Sequence, residues 1–128
     1  MKKMLLLCTM VILSSCASKL VFPVSNVAPA AEITVKIKKD DNGNREINLE
    51  SKYLSSPERL SPKREFYLVW MQTDDNGLIN LGQLETDASD KGSFTAITAY
   101  EPKEIFITAE DDVAITYPTG QEISRVKI

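Results

Sequence analysis

The sequence predicts an all-β chain: an immunoglobulin-like antiparallel β-sandwich of seven or eight short strands, behind an N-terminal signal peptide and a tether. Three observations predict it. From residue 32 onward, apolar and polar residues alternate with a period of two. Gly, Pro, Asn and Asp interrupt that alternation at short intervals, as hairpins and crossovers require. No amphipathic helical pattern of useful length follows residue 16. At 128 residues the chain is one domain's worth, and 26% charged with 43% hydrophobic residues is ordinary for a globular protein.

The first element is not a strand. Lys2 and Lys3 precede a ten-residue run, Met4 to Leu13, broken only by Thr9. Such a run is too short to span a bilayer and suits the core of a signal peptide. It closes on "LSSC", Leu13 to Cys16, which resembles the lipobox of bacterial lipoproteins: Leu at −3, small residues at −2 and −1, Cys at +1. The resemblance implies a diacylglycerol on the Cys16 thiol, cleavage just before it and acylation of the new amine. It also implies export, with the lipid anchoring the chain. Ala17 in the next position resembles the pattern that permits passage to the outer membrane, facing the periplasm or the cell surface. Residues 1–15 would then be the signal peptide, 16–31 the lipidated cysteine and a flexible tether, and 32–128 the sandwich. Cys8 would be lost with the signal, leaving no free thiol. Removing Lys2 and Lys3 from the 15 basic side chains leaves 13 against 18 acidic ones. An acidic domain gains nothing from anionic lipid, so the acyl chains, at least two of them, must hold it.

The segment Ala17 to Ala31 carries Pro23, Pro29 and one apolar cluster, Leu20 to Phe22. Read as a tether, thirteen extended residues reach at most ~45 Å. The cluster is expected to pack on the edge of the domain rather than dip into the membrane.

Strands follow. Ala31, Ile33, Val35 and Ile37 alternate with Glu32, Thr34, Lys36 and Lys38, and after "DDNGN" Ile47, Leu49 and Ser51 alternate with Glu46, Asn48 and Glu50. Asn-Gly between two such runs signals a hairpin with a type I′ turn. "DDNG" recurs at Asp74 to Gly77, between "FYLVWMQT" and "LINLGQL". A calcium reading of these carboxylates fails on spacing, since an EF-hand loop needs Gly at position 6 and Glu at position 12. Leu54 to Arg64, with two Ser-Pro steps, reads as a crossover between sheets. Further strands are expected at Gly92 to Tyr100, Lys103 to Glu110, Val113 to Tyr117 and Gln121 to Ile128.

Part of this pattern resembles the extracytoplasmic C-terminal domain of the anti-sigma-K factor family. The residues that carry it are Tyr67, Val69 and Trp70; Gly82 and Leu84; Ile105, Ile107, Thr108 and Glu110; Pro118 and Gly120. The likeness runs from Glu65 to Gln121. It implies an immunoglobulin-like sandwich outside the inner membrane, with a sensory or scaffolding role. It does not imply an anti-sigma factor, because a lipobox stands where that family has a sigma-binding segment and a transmembrane helix.

The chain has no histidine, which excludes a Ser-His-Asp triad and a His-ligated zinc site. A net charge of −3 with no basic run gives no nucleic-acid signature. No catalytic residue, metal site or cofactor is expected. Glu110, Asp111 and Asp112 form the densest acidic group, read as a solvated strand end, with Glu110 making a structural hydrogen bond.

Apolar residues occupy both faces of Phe66 to Met71. Phe66, Leu68 and Trp70 are expected in the core. Tyr67, Val69 and Met71, with Phe106, form the surplus row, covered either by another segment of the chain or by an envelope protein, and this row is the expected partner face. The function expected is a lipid-anchored, non-enzymatic binding, sensory or scaffolding module. Its partners are the membrane, through Cys16, and an envelope protein; no oligomeric state is indicated. The alternative, a carboxylate-dependent hydrolase of envelope polymers, rests only on the excess of Asp and Glu.

Overall fold

The computed structural model describes residues 17–128. The expected signal peptide, residues 1–15, and Cys16 lie outside the described residues. Eight strands form two four-stranded antiparallel sheets. They are β1 (Ala17–Val21), β2 (Glu32–Lys39), β3 (Arg45–Lys52), β4 (Phe66–Thr73), β5 (Leu78–Leu84), β6 (Gly92–Thr98), β7 (Pro102–Glu110) and β8 (Gln121–Lys127). The first sheet has the order β1-β2-β3-β6 and the second β5-β4-β7-β8. The chain changes sheet after β3, after β5 and after β6. Lettered from β2, the strands run A-B-E against C′-C-F-G, an immunoglobulin-like order with a C′ strand in place of D, and β1 is added outside A. A single 3-10 turn, Pro57–Arg59, interrupts the β3–β4 crossover.

The alternation read from the sequence sets the core. Ile33, Val35 and Ile37 of β2 and Ile47 and Leu49 of β3 face inward against Tyr67, Val69 and Met71 of β4 and Ile105, Ile107 and Ala109 of β7. Burying each large side chain stabilises the fold by about 1.5–3 kcal/mol.

The hairpin loops are type I turns closed by a left-handed residue, not the expected type I′ turns. The two "DDNG" copies are used one residue out of step. In the first, Asp40 opens the turn, its carboxylate accepts the Asn42 and Asn44 amides at 2.9 Å, and Gly43 takes the positive φ of 81°. In the second, Thr73 opens the turn and Asn76 takes the positive φ of 58°. A third loop repeats the device without the motif. Asp87 accepts the Ser89 and Lys91 amides, which lowers its pKa, and Asp90 is left-handed with φ 59°. In all three the carboxylates or hydroxyl at the corner serve the turn itself.

Residues 17–31 are not a free tether. β1 pairs with β2 from Ala17 opposite Lys38 to Val21 opposite Thr34. Phe22 is buried and its amide donates to the Ile33 carbonyl at 2.9 Å. The buried Ser25 hydroxyl accepts the Val27 and Ala28 amides, turning the chain into β2. Ser124 of β8 donates to the Pro23 carbonyl at 2.9 Å, tying this segment to the second sheet. Leu20 and Phe22 of the apolar cluster thus pack on the edge of the domain, while Val21 between them is 68% exposed. The prolines that suggested a spacer instead shape a packed loop.

Candidate functional site

β4 carries an unbroken buried run, Tyr67 to Met71, and its neighbour β7 another, Ile105 to Glu110, so both faces of these strands must be covered. The structure reverses the expected assignment of the two rows. Tyr67, Val69 and Met71 are 0% exposed and form the middle of the inter-sheet core, so this row is no partner face. Leu68 and Trp70 point to the outer side of the second sheet. The neighbouring strand decides the matter. β7 places Met71, Val69 and Tyr67 opposite Ile105, Ile107 and Ala109, and it places Trp70, Leu68 and Phe66 opposite Phe106, Thr108 and Glu110. Cross-strand partners share a face. The wholly apolar face of β7 therefore turns inward and takes the Tyr67 row with it. Phe106 belongs with Trp70, and it too is buried, at 3% exposure.

Burial at the inner row has a chemical consequence. The Tyr67 hydroxyl donates to the Ser55 carbonyl at 2.7 Å. Desolvation, with a smaller contribution from the charge of Asp90, pushes its pKa up to about 12. The phenol is a structural donor and not an acid–base group.

The cover of the outer row is a strap, residues 111–120, where a strand over Val113 to Tyr117 was expected and none forms. Ile115 packs on the cluster of Leu68, Trp70 and Phe106. The Trp70 and Phe106 rings stack at 6.2 Å between centroids, 13° from parallel, and the Arg125 guanidinium lies 3.9 Å from the Phe106 centroid. Arg125 is bridged to Glu104 at 2.8 Å and to Glu122 at 2.6 Å. Burial opposes its charge, yet the two carboxylates hold the guanidinium more basic than usual.

Polar fasteners hold the strap down. Trp70 Nε1 donates to Thr108 Oγ1 at 2.8 Å, and Thr108 in turn donates to Glu110 Oε2 at 2.6 Å. The Glu110 carboxylate, 1% exposed, also accepts from the Thr119 hydroxyl at 2.8 Å, the Gly120 amide at 2.6 Å and the Thr119 amide. At the other end Asn80 Nδ2 donates to the Val113 and Ile115 carbonyls at 3.0 Å, and Arg64 bridges to Asp111 at 2.8 Å. Gly120 is required, because a Cβ there would sit 1.7 Å from the Ala109 carbonyl oxygen.

The acidic trio is therefore engaged in structure: Glu110 fastens the strap, Asp111 pairs with Arg64, and Asp112 accepts the Ala114 amide. Several residues that carry the anti-sigma-K resemblance, Trp70, Thr108, Glu110, Pro118 and Gly120, belong to this one device or lie beside it. The openings at the surface are shallow. One, between Glu50–Lys52 and Glu85–Ser93, reaches the buried Ser51 hydroxyl, which has no protein partner. Another, lined by Asp74, Leu78, Ile79 and Tyr100, lies beside the β4–β5 turn. Among the described residues no three His, Cys, Asp or Glu side chains are grouped to hold a metal ion, and no helix is long and apolar enough to cross a membrane. No family model matches the chain, and no curated protein matches it.

Proposed function

We propose that the protein is a lipoprotein of the cell envelope, anchored through Cys16, whose β-sandwich works as a non-enzymatic binding, sensory or scaffolding module akin to the extracytoplasmic domains of anti-sigma-K factors. One observation carries the reading. The basic pair, the apolar run and the box Leu13 to Cys16 all precede the described strands, which run from Ala17 to Lys127. A cut before Cys16 would discard the apolar leader and leave the sandwich whole. The densest acidic group, Glu110 to Asp112, is bound up in the strap, an ion pair and a turn, which supports a binding role over a catalytic one. The resemblance to anti-sigma-K domains supports a sandwich scaffold outside the inner membrane. Its motif residues fasten a loop, so they speak for architecture and leave the partner to other surfaces.

The test is metabolic labelling with a fatty-acid probe. The wild-type protein should take the label and fractionate with outer membranes, and Cys16→Ala should leave an uncut, unlabelled precursor. Equal labelling of the two contradicts the proposal.

A further inference from the structure

The place of the anchor relative to the strands has a consequence for orientation. This inference rests on the lipoprotein reading above. Ala17 pairs with Lys38 at the lower end of the first sheet. The pairings of the other strands bring to that same end the β2–β3 turn (40–44), the β4–β5 turn (74–77) and the β6–β7 loop (99–101). Aligned sandwich packing keeps the ends of both sheets together. A lipid on Cys16 is one peptide unit, ~3.8 Å, from the start of β1. No spacer intervenes, where a free segment 17–31 would have allowed the domain to stand ~45 Å clear.

The charges at this end are mixed. At this end five cations, Lys38, Lys39, Arg45, Lys103 and Lys127, face seven carboxylates, Asp40, Asp41, Glu46, Asp74, Asp75, Glu101 and Glu104. Lys103 bridges to Asp74 at 2.8 Å. The β6–β7 loop also carries Tyr100, 62% exposed, with Leu78 at 37% beside the same opening. A tyrosine whose ring is apolar and whose hydroxyl is wet suits the headgroup boundary.

We propose that the sandwich is docked end-on to the membrane that anchors it, with the turns at 40–44 and 74–77 and the Tyr100 loop against the headgroups. The strap and the crossover at 53–65 then face away into the aqueous space. The occupant of this end is the lipid surface, which leaves the far end as the surface offered to any soluble partner.

The experiment uses the full lipidated protein in phosphatidylethanolamine–phosphatidylglycerol vesicles that carry a nitroxide on the headgroup. Cleavage removes Cys8, and Cys16 is a thioether, so one introduced cysteine is the sole thiol to label with a fluorophore. Labels on Asn42→Cys and Asp75→Cys should be quenched at least ~3-fold more than labels on Glu58→Cys and Ala88→Cys, because an eight-residue strand separates the two ends by ~25 Å. A long Gly/Ser insertion between Ala17 and Ser18 should level the four signals. If the protein carries acyl label and floats with the vesicles but all four sites are quenched alike, the docking is refuted and the anchor stands. If it neither takes the label nor floats, the lipoprotein reading fails, and the docking with it.

Discussion

The two faces of the second sheet are buried by different means. On the inner face, Tyr67, Val69 and Met71 meet a whole opposing sheet, and apolar area alone suffices. On the outer face, Leu68, Trp70 and Phe106 are covered by ten residues of irregular chain that contribute a single packed apolar residue, Ile115. A loop that short buries too little apolar surface to offset the entropy of ordering it. The outer face therefore needs the hydrogen bonds of Glu110 and Asn80, the stack of Trp70 on Phe106 and the Arg125 cation. Where the cover is a sheet, shape and hydrophobicity hold it. Where it is a strap, directed polar contacts do. This difference also removes an unpartnered apolar row from the surface, so β4 presents no open apolar face.

The largest effect is expected from emptying the outer face outright. Trp70→Ala should cost about 3–5 kcal/mol in urea denaturation, as much as truncating an inner residue such as Ile107, because both sites are fully buried. A loss below ~1 kcal/mol would place the indole outside any packed cluster.

Removing the fastener comes next. Glu110→Ala strands the Thr119 and Gly120 amides and the Thr108 hydroxyl, and should cost about 2–3 kcal/mol. The effect should be local. Trp70 is the only tryptophan, so its emission should shift to the red while the far-ultraviolet circular dichroism of the sheets persists. Gly120→Ala should act in the same way through the clash with the Ala109 carbonyl.

A smaller and pH-dependent effect separates the inner face. Tyr67→Phe removes one hydrogen bond and should cost about 1 kcal/mol near neutral pH. The folded pKa of Tyr67, about 12, lies above the ordinary value of 10.0. The folded state therefore holds this proton where the unfolded chain releases it. The associated stability is complete below the unfolded pKa and drains away as pH rises from about 10 to 12. Between those values the wild type should lose stability more steeply than Tyr67→Phe, and the difference between their stability–pH curves is the measurement. The smallest effect belongs to the rim of the outer face. Arg125→Met should cost about 0.5–1 kcal/mol, since the cation over Phe106 and its ion pairs are partly solvated.

Most of the architecture was legible in the sequence for a simple reason. The runs around Ile33 to Ile37 and Ile47 to Ser51 are apolar on one face only, so their period defines both the strand and its inner side. β4 is apolar on both faces, and period alone cannot say which row turns inward. The answer lay one strand away, in Ile105, Ile107 and Ala109 against Glu104, Thr108 and Glu110, and it needed the register of β4 on β7. The strap was misread as a strand because Val113, Ile115 and Tyr117 alternate, although only Ile115 is packed on the cluster and Val113 and Tyr117 are exposed. The segment 17–31 was misread as a tether because Pro23 and Pro29 outweighed the five residues before them that pair with β2. Glu110 was legible as a structural acceptor. Its partners Thr119 and Gly120 were not, because they come from a loop whose path depends on tertiary contacts.

Acrylamide quenching of Trp70 fluorescence in the intact folded protein tests the central claim most directly. A strap clamped over the outer face predicts short-wavelength emission and very little quenching, with Glu110→Ala and Gly120→Ala both raising the quenching toward that of the urea-unfolded chain. A wild-type indole quenched as readily as in the unfolded chain would contradict the account, for the outer face of the second sheet would then be open and the apolar row on it free to meet a partner.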